Sequence, residues 1–197
     1  MMRLTLLGAA LVMSSAVLAA PVGKPAADFS LQDTGGKTVR LADFKGKFVV
    51  LEWVNPGCPF VVKHYNSGNM PTLQKEWGGK EVVWLSINST NPSHPDFMRP
   101  AALADWLKGK NATANAVLMD PDGKVGRAYD ARVTPHMFII DPKGMVAYNG
   151  AIDDKRSANP DDVKTANNFV RAALGSLQGG QTVKVATTHP YGCTVKY

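Results

Sequence analysis

The stretch from Phe48 to Trp77 constrains the fold more than any other part of the chain. Phe48-Val49-Val50-Leu51-Glu52-Trp53 is rich in β-branched and aromatic residues and reads as a buried strand. Asn55-Pro56-Gly57 is a turn, Cys58 follows it, and Pro59 suits the first position of a helix, where a missing amide proton costs nothing. The helix is expected to run to about Trp77, interrupted near Gly68 or Pro71, and Gly78-Gly79 ends it. A second buried strand follows at Val82-Val83-Trp84-Leu85-Ser86-Ile87. Strand, helix and strand in that order predict a parallel half-sheet with helices on its faces.

The rest of the chain extends that unit. Phe29-Ser30-Leu31 and Thr38 to Leu41 flank Asp33-Thr34-Gly35-Gly36, a small hairpin. Asn88 to Arg99 is polar and reads as a surface loop, Ala101 to Lys108 as a short helix, Val117-Leu118-Met119 as a strand, and Val125 to Tyr129 as a helical turn. Met137 to Asp141 and Met145 to Tyr148 form a second hairpin around Pro142-Lys143-Gly144. Val163, Ala166, Phe169, Val170, Ala173, Leu174 and Leu177 fall at three- and four-residue steps, which predicts one amphipathic helix over 161–177. The expected class is α/β, a central mixed sheet flanked by helices. It carries an N-terminal hairpin and a C-terminal tail. The chain divides into a leader (1–19), one domain (20–178) and a tail (179–197).

The leader has the order of a secretory signal peptide. Met1-Met2-Arg3 is the charged start, Leu4 to Leu18 the apolar run, and Val17-Leu18-Ala19 the small or aliphatic cleavage site. The run is 15 residues, short of the ~20 that a spanning helix needs. Periplasmic or secreted localisation is therefore expected. Removing the leader takes one positive charge, Arg3, from the formal +6 and leaves +5. Lys37, Arg40, Lys45 and Lys47 are spread among apolar residues, without the density of a nucleic-acid site. No nucleic-acid partner and no membrane span after leader removal are expected.

Cys58 and Cys193 are the two cysteines. Export would place them where disulfides persist, yet two in a chain this long are not a disulfide framework. Cys58 stands where a buried strand hands over to a helix. The first amides of a helix lack intrahelical partners and its dipole is positive there, so a thiolate is stabilised and reactive. The alternative is an ordinary buried small residue, which would have apolar neighbours; Asn55, Pro56, Gly57 and Pro59 favour the reactive reading. Val133-Thr134-Pro135 stands directly before the strand from Met137, and the Thr134–Pro135 bond can be cis or trans.

Together, the strand, the turn, Cys58-Pro59, Thr134-Pro135 and Phe138-Ile139-Ile140-Asp141-Pro142-Lys143-Gly144 resemble the thioredoxin-like superfamily. The resemblance is to its alkyl hydroperoxide reductase/thiol-specific antioxidant (redoxin) branch. Asn55 with Cys58-Pro59-Phe60-Val61 and Lys63-His64, and the ending Gly192-Cys193-Thr194-Val195-Lys196-Tyr197, resemble more narrowly the peroxiredoxin-like proteins with a single active-site cysteine. The resemblance spans about residues 22–197. It implies a thioredoxin-like fold and thiol redox chemistry. Cys58 would be the attacking nucleophile, and Thr134, Pro135, Pro59 and Phe60 would shape the substrate groove.

The departures narrow the chemistry. Val61 occupies the place of the second cysteine of a Cys-x-x-Cys pair, so Cys58 has no neighbour to resolve a mixed disulfide. Asn55 stands three before Cys58 where peroxiredoxins carry Thr or Ser, and Pro135 stands where they carry a peroxide-holding arginine. Disulfide exchange is thereby favoured over peroxidase activity. Cys193 can supply the resolving thiol, and three arrangements are open: a catalytic Cys58–Cys193 pair, a static staple, or a mobile tail that pairs with another chain. Two functions follow, a thiol oxidoreductase or a non-catalytic binding module with a structural disulfide. The enzyme's partners would be a protein or small-molecule disulfide or hydroperoxide and a thiol reductant, with no cofactor.

His64 falls on another helix face from Cys58, His94 and His189 lie in loops, and His136 reads as a satisfied surface histidine that could approach Cys58. No short-range ligand pair points to a metal. Trp53, Trp77, Trp84 and Trp106 are expected in the core.

Overall fold

The computed structural model describes residues 20–79 and 81–197, so the expected leader (1–19) lies outside the described residues. Strands β1 (Ser30–Asp33) and β2 (Thr38–Arg40) form the first hairpin, and a 3-10 turn at Leu41–Phe44 leads to β3 (Phe48–Trp53). Helices α1 (Pro59–Asn66) and α2 (Asn69–Trp77) follow, broken at Gly68, which adopts φ +74°. Then come β4 (Val82–Asn88), α3 (Pro100–Gly109), β5 (Ala116–Met119), α4 (Lys124–Ala128), β6 (Val133–Thr134), β7 (His136–Ile140) and β8 (Val146–Gly150). The chain ends in a 3-10 segment at Pro160–Thr165, α5 (Phe169–Gln178) and β9 (Cys193–Thr194).

Seven strands make one sheet in the order β2-β1-β5-β4-β3-β7-β8, with β3, β4 and β5 parallel and β1, β7 and β8 joined antiparallel. β3 and β4 lie inside the sheet, which is why both read as continuous apolar runs. Their side chains alternate between two cores. Val50, Val82 and Trp84 face the cluster with Val61, Tyr65, Met70 and Leu73 of α1 and α2. Val49, Leu51, Trp53, Leu85 and Ile87 face the other cluster, with Val125 and Tyr129. His136 pairs opposite Trp53, so Thr134-Pro135 comes level with the turn that follows β3.

Two expectations are corrected. The single helix expected over 161–177 is a 3-10 turn followed by a separate α5. Ala166 between them is extended (φ −76°, ψ 139°), and the Asn168 side chain accepts from the Arg171 amide at 2.8 Å to start α5 afresh. The core position expected of the four tryptophans holds for Trp53 and Trp84, which are fully buried, whereas Trp77 and Trp106 are half-buried at the margin of the core.

Candidate active site

Cys58 is the N-cap of α1, with φ −91° and ψ 120°, and Pro59 takes the first helical position. The preceding turn is held from below. Asn55 Oδ1 accepts from the Gly57 amide at 2.8 Å, and Asn55 Nδ2 donates to Thr90 Oγ1 at 3.2 Å. The Cys58 sulfur makes no capping bond to its own helix. It donates instead to the Thr134 carbonyl at 2.9 Å, and the Thr134–Pro135 peptide is cis. Cys58 is only 2% exposed and belongs to the core cluster on the α1 side. The polar turn around it in sequence therefore did not imply an open sulfur; something covers it.

The cover is the C-terminal tail. β9 pairs antiparallel with β6, placing Cys193 opposite Thr134 and Thr194 opposite Val133. Val195 donates to the Arg132 carbonyl at 3.0 Å. Gly192, at φ +140°, presses its backbone so closely on Thr134 O that a side chain there would collide with it. This places Cys193 opposite the residue whose carbonyl accepts from the Cys58 thiol, packed against the core cluster that contains Cys58. Burial pushes the Cys193 thiol up to about 12, helped by the neighbouring Cys58. Both cysteines are free thiols here. Cys193 therefore keeps its proton at neutral pH.

The tail is anchored on both sides of Cys193. Tyr197 donates to the Ala131 carbonyl at 2.6 Å, its ring lies 4.5 Å from the Arg127 guanidinium carbon, and the Lys196 carbonyl accepts from the Asn91 amide at 2.7 Å. On the other side Tyr191 bonds Asp153 and His64 Nε2, meets Phe60 edge-on with ring centroids 5.8 Å apart, and carries Lys63 Nζ 5.5 Å from its ring centre. Lys63 is buried, donates to the Lys155 carbonyl at 2.7 Å, and is held below the usual lysine range by desolvation. Asp153 Oδ2 is buried with no partner. Upstream, Thr188 Oγ1 accepts from the Ala151 amide at 2.8 Å.

These two thiols, set at the start of a helix and beside a proline loop, are the chemistry that the sequence comparisons bear on. Residues 22–149 match the AhpC/TSA family. The chain belongs to the AhpC/TSA family. The thiol-disulfide oxidoreductase ResA of Bacillus subtilis is 30% identical over 124 residues, 63% of this chain, and the chain spans 64% of that relative's length. An uncharacterized conserved protein from Geobacillus kaustophilus shares the fold with a TM-score of 0.79 and 28% identity, over 90% of this chain and 93% of that one. A hypothetical protein from Sinorhizobium meliloti 1021 superposes with a TM-score of 0.77 at 24% identity, over 91% and 96% of the two chains. The fold is the thioredoxin-like mixed sheet flanked by helices. The AhpC/TSA match ends at residue 149, so Cys193 and its tail lie beyond it.

Within this AhpC/TSA domain the residues singled out in the sequence fall as follows. Cys58, Cys193, Thr134 and Pro135 meet at one point. Pro59 is exposed beside them, and Phe60 is half-buried against Tyr191. Arg132 is turned to solvent and paired with Asp130, away from the sulfurs. His136 is not the surface histidine expected. It is buried, with Nε2 bonded to Asn149 Oδ1 at 2.8 Å and Nδ1 accepting from the Arg132 amide at 3.3 Å. Among the described residues no cluster of three or more His, Cys, Asp or Glu is placed to hold a metal, and no helix is long and apolar enough to cross a membrane.

Several residues of the site carried no signal in the sequence. Glu52 sits inside the apolar run of β3, yet its carboxylate is buried and takes bonds from Tyr65, Trp84, Ser86 and Gln74 at 2.7, 2.8, 3.1 and 3.2 Å. Burial pushes its carboxyl above the usual range against the pull of those four donors. Even alternation along β3 was the available clue, because it puts Glu52 on the α1 side. Asp96, in the loop expected to be plain surface, lies against Gly57 and adds to the upward push on Cys193.

Proposed function

We propose that this chain is an exported thiol–disulfide oxidoreductase in which Cys58 attacks a disulfide and Cys193 resolves the intermediate. The observation that carries the reading is the meeting of the two cysteines at the N-terminus of α1, where Cys193 lies opposite the Thr134 whose carbonyl accepts from the Cys58 thiol. Cys58 stands at the positive end of α1, and the protonated Cys193 beside it is the next nucleophile in line. Attack forms a mixed disulfide on Cys58 and releases one substrate thiol. Cys193 then gives up its proton, attacks the Cys58 sulfur and releases the second, leaving a Cys58–Cys193 disulfide that a thiol reductant must reopen. The Bacillus subtilis relative is a thiol-disulfide oxidoreductase, which supports the same class. Hydroperoxide is the weaker substrate, because Pro135 stands where an arginine would hold it and Arg132 is bound to Asp130. Export rests on the order of charge, apolar run and small residues in 1–19.

The burial of Cys58 and the many bonds to the tail favour a second reading, a static Cys58–Cys193 staple in a binding domain. Trapping separates the two. With a small disulfide as substrate, Cys193→Ser is expected to accumulate a mixed disulfide at Cys58, found by peptide mass, while the wild type passes to Cys58–Cys193 and Cys58→Ser does not react. Absence of any adduct on Cys193→Ser would leave the staple reading.

A further inference from the structure

The β6–β9 pairing is only two residues long on each side, yet it decides which atom meets Cys58. Thr134 offers its carbonyl to the Cys58 thiol, and the residue opposite Thr134 presents its side chain to the same place. The bonds that set this register are backbone bonds, such as Val195 N–H to Arg132 O at 3.0 Å, and do not depend on side-chain identity. Any extended segment with a cysteine opposite Thr134 would bring that sulfur to Cys58. A groove of about 280 Å³ beside β6 is lined by Arg132, Val133, His136 and Asn149 together with Thr188 and His189 of the tail itself.

We propose that the C-terminal tail is an internal substrate strand, occupying the β6 edge on which an extended, cysteine-bearing polypeptide disulfide docks. The inference rests on the oxidoreductase reading and names its substrate class. The tail must leave β6 before such a polypeptide reaches the buried Cys58 sulfur. Cys58, as thiolate, then attacks the docked disulfide. A Cys58–substrate bond forms, the substrate S–S bond breaks, and one substrate sulfur leaves and takes up a proton. As the tail returns, deprotonated Cys193 attacks the Cys58 sulfur, and the second substrate sulfur leaves as a thiol. Two electrons pass from the two cysteines to the substrate disulfide. The strand that forms Cys58–Cys193 is the strand that displaces the reduced polypeptide, so resolution and product release are one movement. The anchors outside β9 set how readily the edge opens: Tyr197 against Ala131 and Arg127, and Gly192 against Thr134.

Two full-length variants test this, Tyr197→Ala, which removes an anchor, and Gly192→Ala, whose added methyl collides with Thr134 O and unseats the strand. The probes are an octapeptide with the sequence of residues 190–197, its cysteine disulfide-bonded to a chromogenic aromatic thiol, the same peptide N-methylated at its valine, and the small aromatic disulfide alone. The reduced variants are expected to react with the unmodified peptide at least about tenfold faster than the wild type does. They should also prefer it over the N-methylated peptide by about tenfold, the worth of one backbone hydrogen bond. Equal rates with the two peptides would mean that the variants merely expose Cys58, and no gain over the wild type would mean that the tail is no obstacle; either overturns the inference alone. If Cys58 fails to react even with the small disulfide in all three proteins, the oxidoreductase reading falls and the inference with it.

Discussion

At His136 both ring nitrogens are committed: Nδ1 accepts from the Arg132 amide, so Nε2 carries the proton given to Asn149 Oδ1. A second proton would turn Nδ1 toward an N–H and would be buried, and His136 is held down at about 4, chiefly by desolvation. Between pH 6.5 and about 4 the unfolded chain binds this proton and the folded chain does not. Stability therefore rises with pH across that window and is lost on acidification, by roughly 3 kcal/mol at full effect. His64, held at about 3 by burial beside Lys63, acts in the same direction. Glu52 acts in the opposite one, since its raised carboxyl favours the folded state below the window and loses that advantage as pH rises above 4.5. His136→Asn is expected to lower the slope of unfolding free energy against pH between 4 and 6.5 by up to ~1.4 kcal/mol per pH unit; an unchanged slope would show that His136 titrates alike in both states. Cys58-Pro59 could be read as a site because strand, turn and proline are local signals. Glu52, Lys63, Asp153 and Tyr191 could not, because each acquires its role from partners tens of positions away.

At the scale of elements, local signals predicted most of the sheet. The β3 and β4 runs, the two hairpins and the helix start at Pro59 depend on residues within a few positions of one another, and all are present. Over 161–177 the apolar spacing continues across Ala166 and Phe169, while Asn167 and Asn168 interrupt the backbone. Asn167 is bound to Asp154, and Asn168 caps α5 and also reaches Asn69 at 3.3 Å. Asn168→Ala is expected to cost about 1 kcal/mol, read as a lower urea midpoint at constant m-value. No shift in midpoint would mean that packing of Val170, Ala173 and Leu174 alone fixes the start of α5. β6 and β9 carry no sequence signal, since a two-residue strand has no periodicity.

At the scale of the whole molecule, the sheet brings the end of β3, the proline loop before β7 and the last residues of the chain to one place. The first two belong to the matched family domain, and the third lies outside it. The sequence left three positions open for Cys193 because its approach to Cys58 closes a loop of 135 residues, which only tertiary packing can decide. In the entropic view, a bond across that loop would stabilise the fold by up to ~4–5 kcal/mol, and such a bond can serve as a staple or as a working couple. The reduction potential of Cys58–Cys193, measured by equilibration with a glutathione buffer and alkylation of free thiols, distinguishes them. A redox couple that turns over requires a value clearly above about −300 mV; a value below it, with a bond that resists the buffer, would make the disulfide structural and contradict the assignment of Cys58 as a nucleophile.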